Sequence, residues 1–176
     1  MICRNCKKKK IIKLFSLGKL FYTGKFGKKK NSKILKGTIA LVKCNNCGLV
    51  QLDRKFDPKY LYGKDYGYRS GINQTMTNHL SKIASKLSKF VKLSNDDQVL
   101  DIASNDGTLL NSYLNKKITK IGIDPTINKF QKYYKKIDYK INNFFSLNAF
   151  KKIKLEKKNV IITACAVFYD LNDPNK

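Results

Sequence analysis

Four of the five cysteines carry the sharpest chemistry in this chain. Cys3 and Cys6 stand in CRNC, Cys44 and Cys47 in CNNCG, and Cys165 stands alone. A C-x2-C turn aims both its sulfurs at one point, and two such turns present four thiolates to a single tetrahedral zinc ion. Gly48, directly after the second pair, suits a tight knuckle. A disulfide pair and a thioredoxin-like redox motif are the other readings of such spacing. A disulfide does not suit a cytoplasmic chain, and a redox motif needs only one C-x2-C at a helix N-terminus. The expected ligands are therefore Cys3, Cys6, Cys44 and Cys47. With every position filled by protein, that zinc is closed and structural. Lys7 to Lys10 offset the negative charge of four thiolates. Cys165 follows Ala164 in an apolar run and is expected to be a buried small residue.

A second constellation is VLDIASNDGTLL, Val99 to Leu110. An apolar run ends on Asp101, a loop of small and polar residues follows, and apolar residues resume. A further apolar run ends on Asp124, 23 residues later. An acid at that distance can accept hydrogen bonds from both ribose hydroxyls of a nucleoside. A G-x-G-x-x-G fingerprint steers glycines against a pyrophosphate, but this loop holds Asn105 and Asp106 and no lysine, and its acids repel phosphate. A ligand with an amino-acid head and a nucleoside tail fits better, and S-adenosylmethionine has that form.

Alternating elements position these residues. QVLDIA (98–103), TKIGID (119–124), DYKINNFF and NVIITACAVF (159–168) read as strands. GTLLNSYLNK, TINKFQKYYKKI and SLNAFKKIKLEKK between them read as helices. Such alternation predicts an α/β fold with a parallel sheet, ligands lying beyond its carboxyl ends. Before it, QTMTNHLSKIASKLSKFVKL places Met76, Leu80, Ile83, Leu87 and Phe90 at helical spacing, with Thr75 or Asn73 as cap and His79 on the surface. Between the cysteine pairs, LGKLFYTGKFGKKK and ILKGTIALVKCNNCGLVQL read as short strands with Gly turns. The expected organisation is a β-rich zinc-binding domain at 1–55, a connector and helix at 56–93, and the sheet domain at 94–176.

Composition narrows the partners. The chain has 176 residues, 37 basic against 12 acidic, and a formal charge of +25. All the basic residues but Arg4, Arg54 and Arg69 are lysine, whereas specific readers of phosphate and bases favour the arginine fork. Lys, Asn and Ile are spread along the chain, so the charge reads as a solvated surface, with no specific nucleic acid and no membrane as partner. No apolar run approaches the ~18 residues of a membrane span, and the N-terminus lacks a cleavage motif, so a cytoplasmic location is expected.

These motifs resemble the class I S-adenosylmethionine-dependent C-methyltransferases that act on nucleotide-linked deoxysugars and carry an N-terminal zinc-binding domain. CRNC, CNNCGLVQL, YGKDYGYRSGINQTMTNHL, VLDIASNDGTLL, GIDPT and ITACAVFYDLNDP carry the resemblance. It implies a Rossmann-like sheet of order 3-2-1-4 and two cofactors, S-adenosylmethionine and Zn2+. Asp101, Ala103, Ser104, Asn105, Gly107, Asp124 and Pro125 are implied as cofactor residues, with Asn143 and Phe144 near the adenine. Connector residues Tyr66, Tyr68 and Ser70 are implied to contact cofactor or substrate.

The implied reaction removes a proton beside the carbonyl of a keto sugar, and the enolate takes the methyl group. Tyr169 and Asp170 stand where the family often has a Glu-His pair, and with Tyr68 they are the candidates for the base. The alternative is a strand cap that starts a helix, with Asp170 or Asn172 as N-cap before Pro174. Ala103 replaces a glycine, which is tolerable at negative φ. The sheet of this family has three more strands, so the chain is expected to be a truncated fragment or half of a split enzyme, with strand four an apolar edge. The rival reading is a zinc-containing basic nucleic-acid module or RNA methyltransferase. It wants a Pro-Pro or Pro-Cys motif after strand four, and none is there.

Overall fold

A computed structural model describes residues 1–22, 29, 33–63, 66–153, 158–171, 173 and 175. The chain divides into two compact units, Met1–Tyr66 with Phe168–Lys176, and Gly67–Val167. No described helix is long and apolar enough to cross a membrane.

The first unit is built on an antiparallel sheet of β1 (Ile11–Phe21), β2 (Lys36–Cys44) and β3 (Val50–Leu52), in that order. β1 is longer than the short strands expected. It holds its register against β2 through two shifts, at Lys13/Phe15 and Ser16/Gly18, the second absorbed by Gly18 at φ 73°. The turn expected in TGKFGKKK lies mostly outside the described residues. Asp57 caps α1 (Pro58–Tyr62) by accepting from the Lys59 amide, and Pro58 sits where its missing N–H is no loss. Among the described residues of this unit the buried apolar side chains are few: Cys3, Ala40, Val42 and Cys44, while Phe15, Leu17 and Phe21 of β1 are each more than half exposed. So thin a core needs a further source of stability.

The second unit opens with α2 (Gln74–Phe90). Asn73 is its cap, accepting from the amides of Thr75 and Met76. Leu80 and Ala84 are buried, and Met76, Ile83 and Leu87 pack beside them. Phe90, expected on that stripe, is 85% exposed. Four parallel strands follow: β4 (Gln98–Ile102), β5 (Thr119–Ile123), β6 (Tyr139–Ile141) and β7 (Asn159–Thr163). Their order is β6-β5-β4-β7, which is the expected third-second-first-fourth. β4 is buried from Gln98 to Asp101 because it lies between two neighbours.

The connecting helices are shorter than expected: α3 (Thr108–Asn111), α4 (Ile127–Phe130) and α5 (Leu147–Phe150). Polar side chains compete for the backbone at their ends. The Asn111 amide group donates to the Tyr133 carbonyl, and the Ser112 hydroxyl to that of Thr108. After α4 the chain tightens into a 3-10 turn, Gln131–Tyr133. Residues 154–157 of the expected third helix lie outside the described set. β7 ends at Thr163, five residues short of the expected strand, and Cys165 is exposed rather than buried. The residues after Thr163 turn, and Ala166 takes φ 55°. Val160 and Ile162 on this edge strand are 42% and 60% exposed.

Candidate functional site

The four paired cysteines converge within the first unit. Their sulfurs all lie within 4.8 Å of one another. Cys3 Sγ is 3.6 Å from Cys47 Sγ, and Cys6 Sγ is 3.6 Å from Cys44 Sγ. A tetrahedron with Zn–S of about 2.3 Å has edges of about 3.8 Å, whereas a disulfide needs about 2.05 Å. The geometry is that of a chelate. Two knuckles build it: the Lys7 amide donates to the Cys3 carbonyl, and the Gly48 amide, at φ 76°, to that of Cys44. Arg4 and Gln51 stitch them together, the Arg4 amide donating to Gln51 Oε1 at 2.8 Å. Burial pushes the Cys3 thiol up to about 11, while the Lys8 amide pulls Cys6 down to about 6. The donor set fits zinc, which holds all four as thiolates.

The loop after β4 belongs to the second unit. It is fastened to the end of β5: Ala103 donates its amide to the Ile123 carbonyl, and Asn105 donates its amide to Asp124 Oδ2 at 2.9 Å. The other Asp124 oxygen accepts from the Thr126 amide and hydroxyl. Asp101, Ala103, Ser104, Asn105, Gly107 and Asp124 are thus brought together, with half-buried Pro125 beside them. Asn143 and Phe144 follow β6 on the same edge of the sheet, Asn143 exposed and Phe144 half-buried. Burial pushes Asp101 up to about 7, opposed by a 2.6 Å bond from the Thr163 hydroxyl and reinforced by the nearby Asp124 charge. Burial also raises Asp124. An opposite charge placed beside these carboxyls would favour their ionised forms and lower both again. Tyr113 Oη, buried and without a partner among the described residues, marks unfilled polar capacity in the same unit.

Two features correct the sequence reading. Ala103 takes φ 58°, the left-handed region in which its Cβ is penalised, so the glycine replacement is strained rather than benign. The side chains of Ser104 and Asn105 are also already engaged. Ser104 Oγ meets Tyr134 Oη at 2.8 Å, and that hydroxyl also donates to the Asn105 carbonyl. A Cβ at Gly107 would stand 2.8 Å from Ile137 Cδ1 and 3.3 Å from the Tyr134 ring, and one at Gly122 would stand 2.8 Å from Ser104 Oγ and 3.1 Å from that ring. Tyr134 was invisible as a site residue, although two glycines near an aromatic hint at such a buttress.

The connector lies against this loop. Asn105 accepts from the Ser70 amide and donates to the Tyr68 carbonyl, while Asp106 accepts from the Gly71 amide. Tyr68 and Ser70 are therefore beside the loop, whereas Tyr66 belongs to the first unit and packs its ring 5.2 Å from that of Tyr62. Tyr169 and Asp170 lie in the first unit, in a 3-10 turn, Phe168–Asp170. Tyr169 is 71% exposed, and Asp170 accepts a 2.5 Å bond from the Tyr62 hydroxyl. Asn172 and Pro174, the cap residues of the alternative reading, lie outside the described residues.

Residues 3–62 match the family model Methyltransf_13, described as "Putative zinc binding domain". No curated protein matches the chain. The chain carries a methyltransferase-associated zinc-binding domain, with Cys3, Cys6, Cys44 and Cys47 set to hold the metal.

Proposed function

We propose that this protein is an S-adenosylmethionine-dependent C-methyltransferase acting on a nucleotide-linked keto-deoxysugar. In this reading a zinc-binding domain at 1–55 and a connector at 56–93 precede a Rossmann-like class I methyltransferase domain at 94–176. One observation carries the reading. A parallel sheet of order 3-2-1-4 joins the loop after its first strand to an acid ending its second, through the Asn105 amide and Asp124. The methyltransferase association of the matched domain supports it independently.

S-adenosylmethionine supplies an electrophilic methyl group when bound. Asp124 already accepts from the Asn105 amide and from the Thr126 amide and hydroxyl, so of a carboxylate's roughly four acceptor sites one is left, on Oδ2, for a ribose hydroxyl. Asp101 and the loop Ala103 to Gly107 receive the methionine end, and Asn143 with Phe144 borders the adenine. Zinc keeps a structural role. Removal of the proton beside the sugar carbonyl falls to Asp170, Tyr169 or Tyr68. A carboxylate held by a tyrosine hydroxyl, as Asp170 is by Tyr62, is oriented for such work.

The test is a mass-spectrometric assay of the full chain with S-adenosylmethionine and nucleotide-linked keto sugars. The reading expects a sugar heavier by one methylene. It also expects exchange of the substrate's α-proton in deuterated water without the methyl donor. Methylation of RNA and of no sugar contradicts the substrate class. Transfer to neither contradicts the activity.

A further inference from the structure

The first C-x2-C turn does more than gather sulfurs. Arg4 and Asn5 stand between the ligands Cys3 and Cys6, and both of their carbonyls take part in holding a segment from the far end of the same unit. The Lys7 ammonium donates to the Arg4 carbonyl at 2.7 Å and to Asp173 Oδ1 at 2.8 Å. The Asn175 side-chain amide donates to the Asn5 carbonyl at 2.8 Å, and its backbone amide to Asp173 Oδ1 at 3.3 Å. Apolar burial does little for this segment, because Phe168 and Tyr169 are mostly exposed. The Lys7–Asp173 pair is itself partly exposed, and such a pair is weak alone. Its placement depends on the turn. Lys7 takes φ 60°, in the left-handed region, with its amide donating to the Cys3 carbonyl at 3.1 Å. Chelation by Cys3 and Cys6 fixes that turn, and with it both carbonyls and the ammonium.

We infer that the first zinc knuckle is the seat of segment 168–175, and that Lys7 and Asp173 are positioning residues for Asp170. The turn sets the ammonium, the ammonium sets Asp173, and Asp170 lies three residues before Asp173 in the same segment. The Tyr62 hydroxyl then orients the Asp170 carboxylate from the other side of its anchor, at 2.5 Å. Lys7 acts through Asp173 and not on a substrate. The consequence for proton removal rests on the reading of Asp170 as base given above, whereas the seat does not depend on it.

The experiment compares the full chain as wild type, Lys7→Gly, Lys7→Arg and Asp173→Asn. It reads zinc content, amide nitrogen relaxation at Leu171 and Asn175, and exchange of the α-proton of a nucleotide-linked keto sugar in deuterated water. Glycine accepts φ 60° without strain, so Lys7→Gly keeps the knuckle and removes the ammonium. In wild type both amides are rigid, with order parameters of about 0.85, and in Lys7→Gly and Asp173→Asn they fall below about 0.6. Both variants keep one zinc per chain and rigid β2 amides, which separates loss of the seat from loss of the lobe. Substrate-proton exchange falls at least about tenfold in both, since a misplacement of about 1 Å can cost about 100-fold, and Lys7→Arg restores most of each readout. Rigid amides in the metal-bound variants overturn the seat, and so do mobile amides in wild type. Asp173→Asn decides the seat if Lys7→Gly loses its metal, because it leaves the knuckle's own sequence untouched. Loosened amides with wild-type proton exchange overturn the positioning role. A wild type that exchanges no substrate proton overturns Asp170 as base, and the positioning role with it, while relaxation alone decides the seat.

Discussion

The Asn105 amide donates to the Asp124 carboxylate at 2.9 Å, so the loop after the first parallel strand is fixed to the end of the second. Two acids that look equivalent in the sequence therefore differ in role. Asp124 holds the loop with one oxygen and its own following turn, at Thr126, with the other, whereas Asp101 is buried against the Thr163 hydroxyl. Each gives a distinct prediction.

Asp101 makes stability depend on pH. Its carboxyl is raised to about 7 in the folded protein, against about 3.9 in an unfolded chain. Between those values the folded state keeps a proton that the unfolded state releases. Stability therefore falls as pH rises through that window and levels off above it. Asp101→Asn keeps an acceptor for Thr163 and removes the titration. Thermal melts at several pH values should show a steeper slope in wild type than in the variant, which keeps only the contribution of the raised Asp124, with the variant the more stable above pH about 8. An unchanged slope in the variant contradicts the assignment.

Ala103→Gly should stabilise the protein. The left-handed conformation costs a non-glycine residue about 1 to 2 kcal/mol, and glycine returns about 0.5 to 1 of that through unfolded-chain entropy. The net gain is about 0.5 to 1 kcal/mol, or roughly 1 to 4 °C in melting temperature. A lower melting temperature contradicts the strained geometry.

Tyr134→Phe keeps the ring that backs Gly107 and Gly122 but removes the hydroxyl shared by Ser104 and the Asn105 carbonyl. Chemical denaturation should register a loss of about 1 to 3 kcal/mol, since two buried polar atoms lose a partner. A neutral result would mean that the hydroxyl does not hold the loop.

The first unit should contain one zinc per chain, measured by elemental analysis. Cys44→Ser should release it and melt the β1-β2-β3 sheet, because metal binding is folding energy in so small a lobe. A variant that keeps both the metal and the sheet contradicts ligation by Cys44.

The metal ligands were legible because C-x2-C is a local chelating pattern, and Cys3 and Cys44 need only face each other. The parallel sheet was legible because strands alternate with helices, whereas the order of its strands came from the resemblance. The contact between the connector and the loop was not legible. Asp106 and Gly71 are 35 residues apart, and no periodicity links a loop acid to a connector amide. Helix lengths were overestimated where asparagine and serine divert the backbone, at Asn111 and Ser112, and where aromatic residues crowd α4. The sign of φ at Ala103 is a property of the turn, and an alanine conceals what a glycine would have announced.

Calorimetry of the full chain with S-adenosylhomocysteine, and with an analogue lacking both ribose hydroxyls, tests the central claim most directly. Wild type and the surface variant Lys116→Ala should bind the natural ligand equally. Asp124→Asn and removal of the hydroxyls should each weaken binding about tenfold, and together no more than either alone, because both delete the same charged hydrogen bond. Strictly additive losses, or equal affinity of Asp124→Asn and wild type, would contradict a nucleoside held at the end of the second strand.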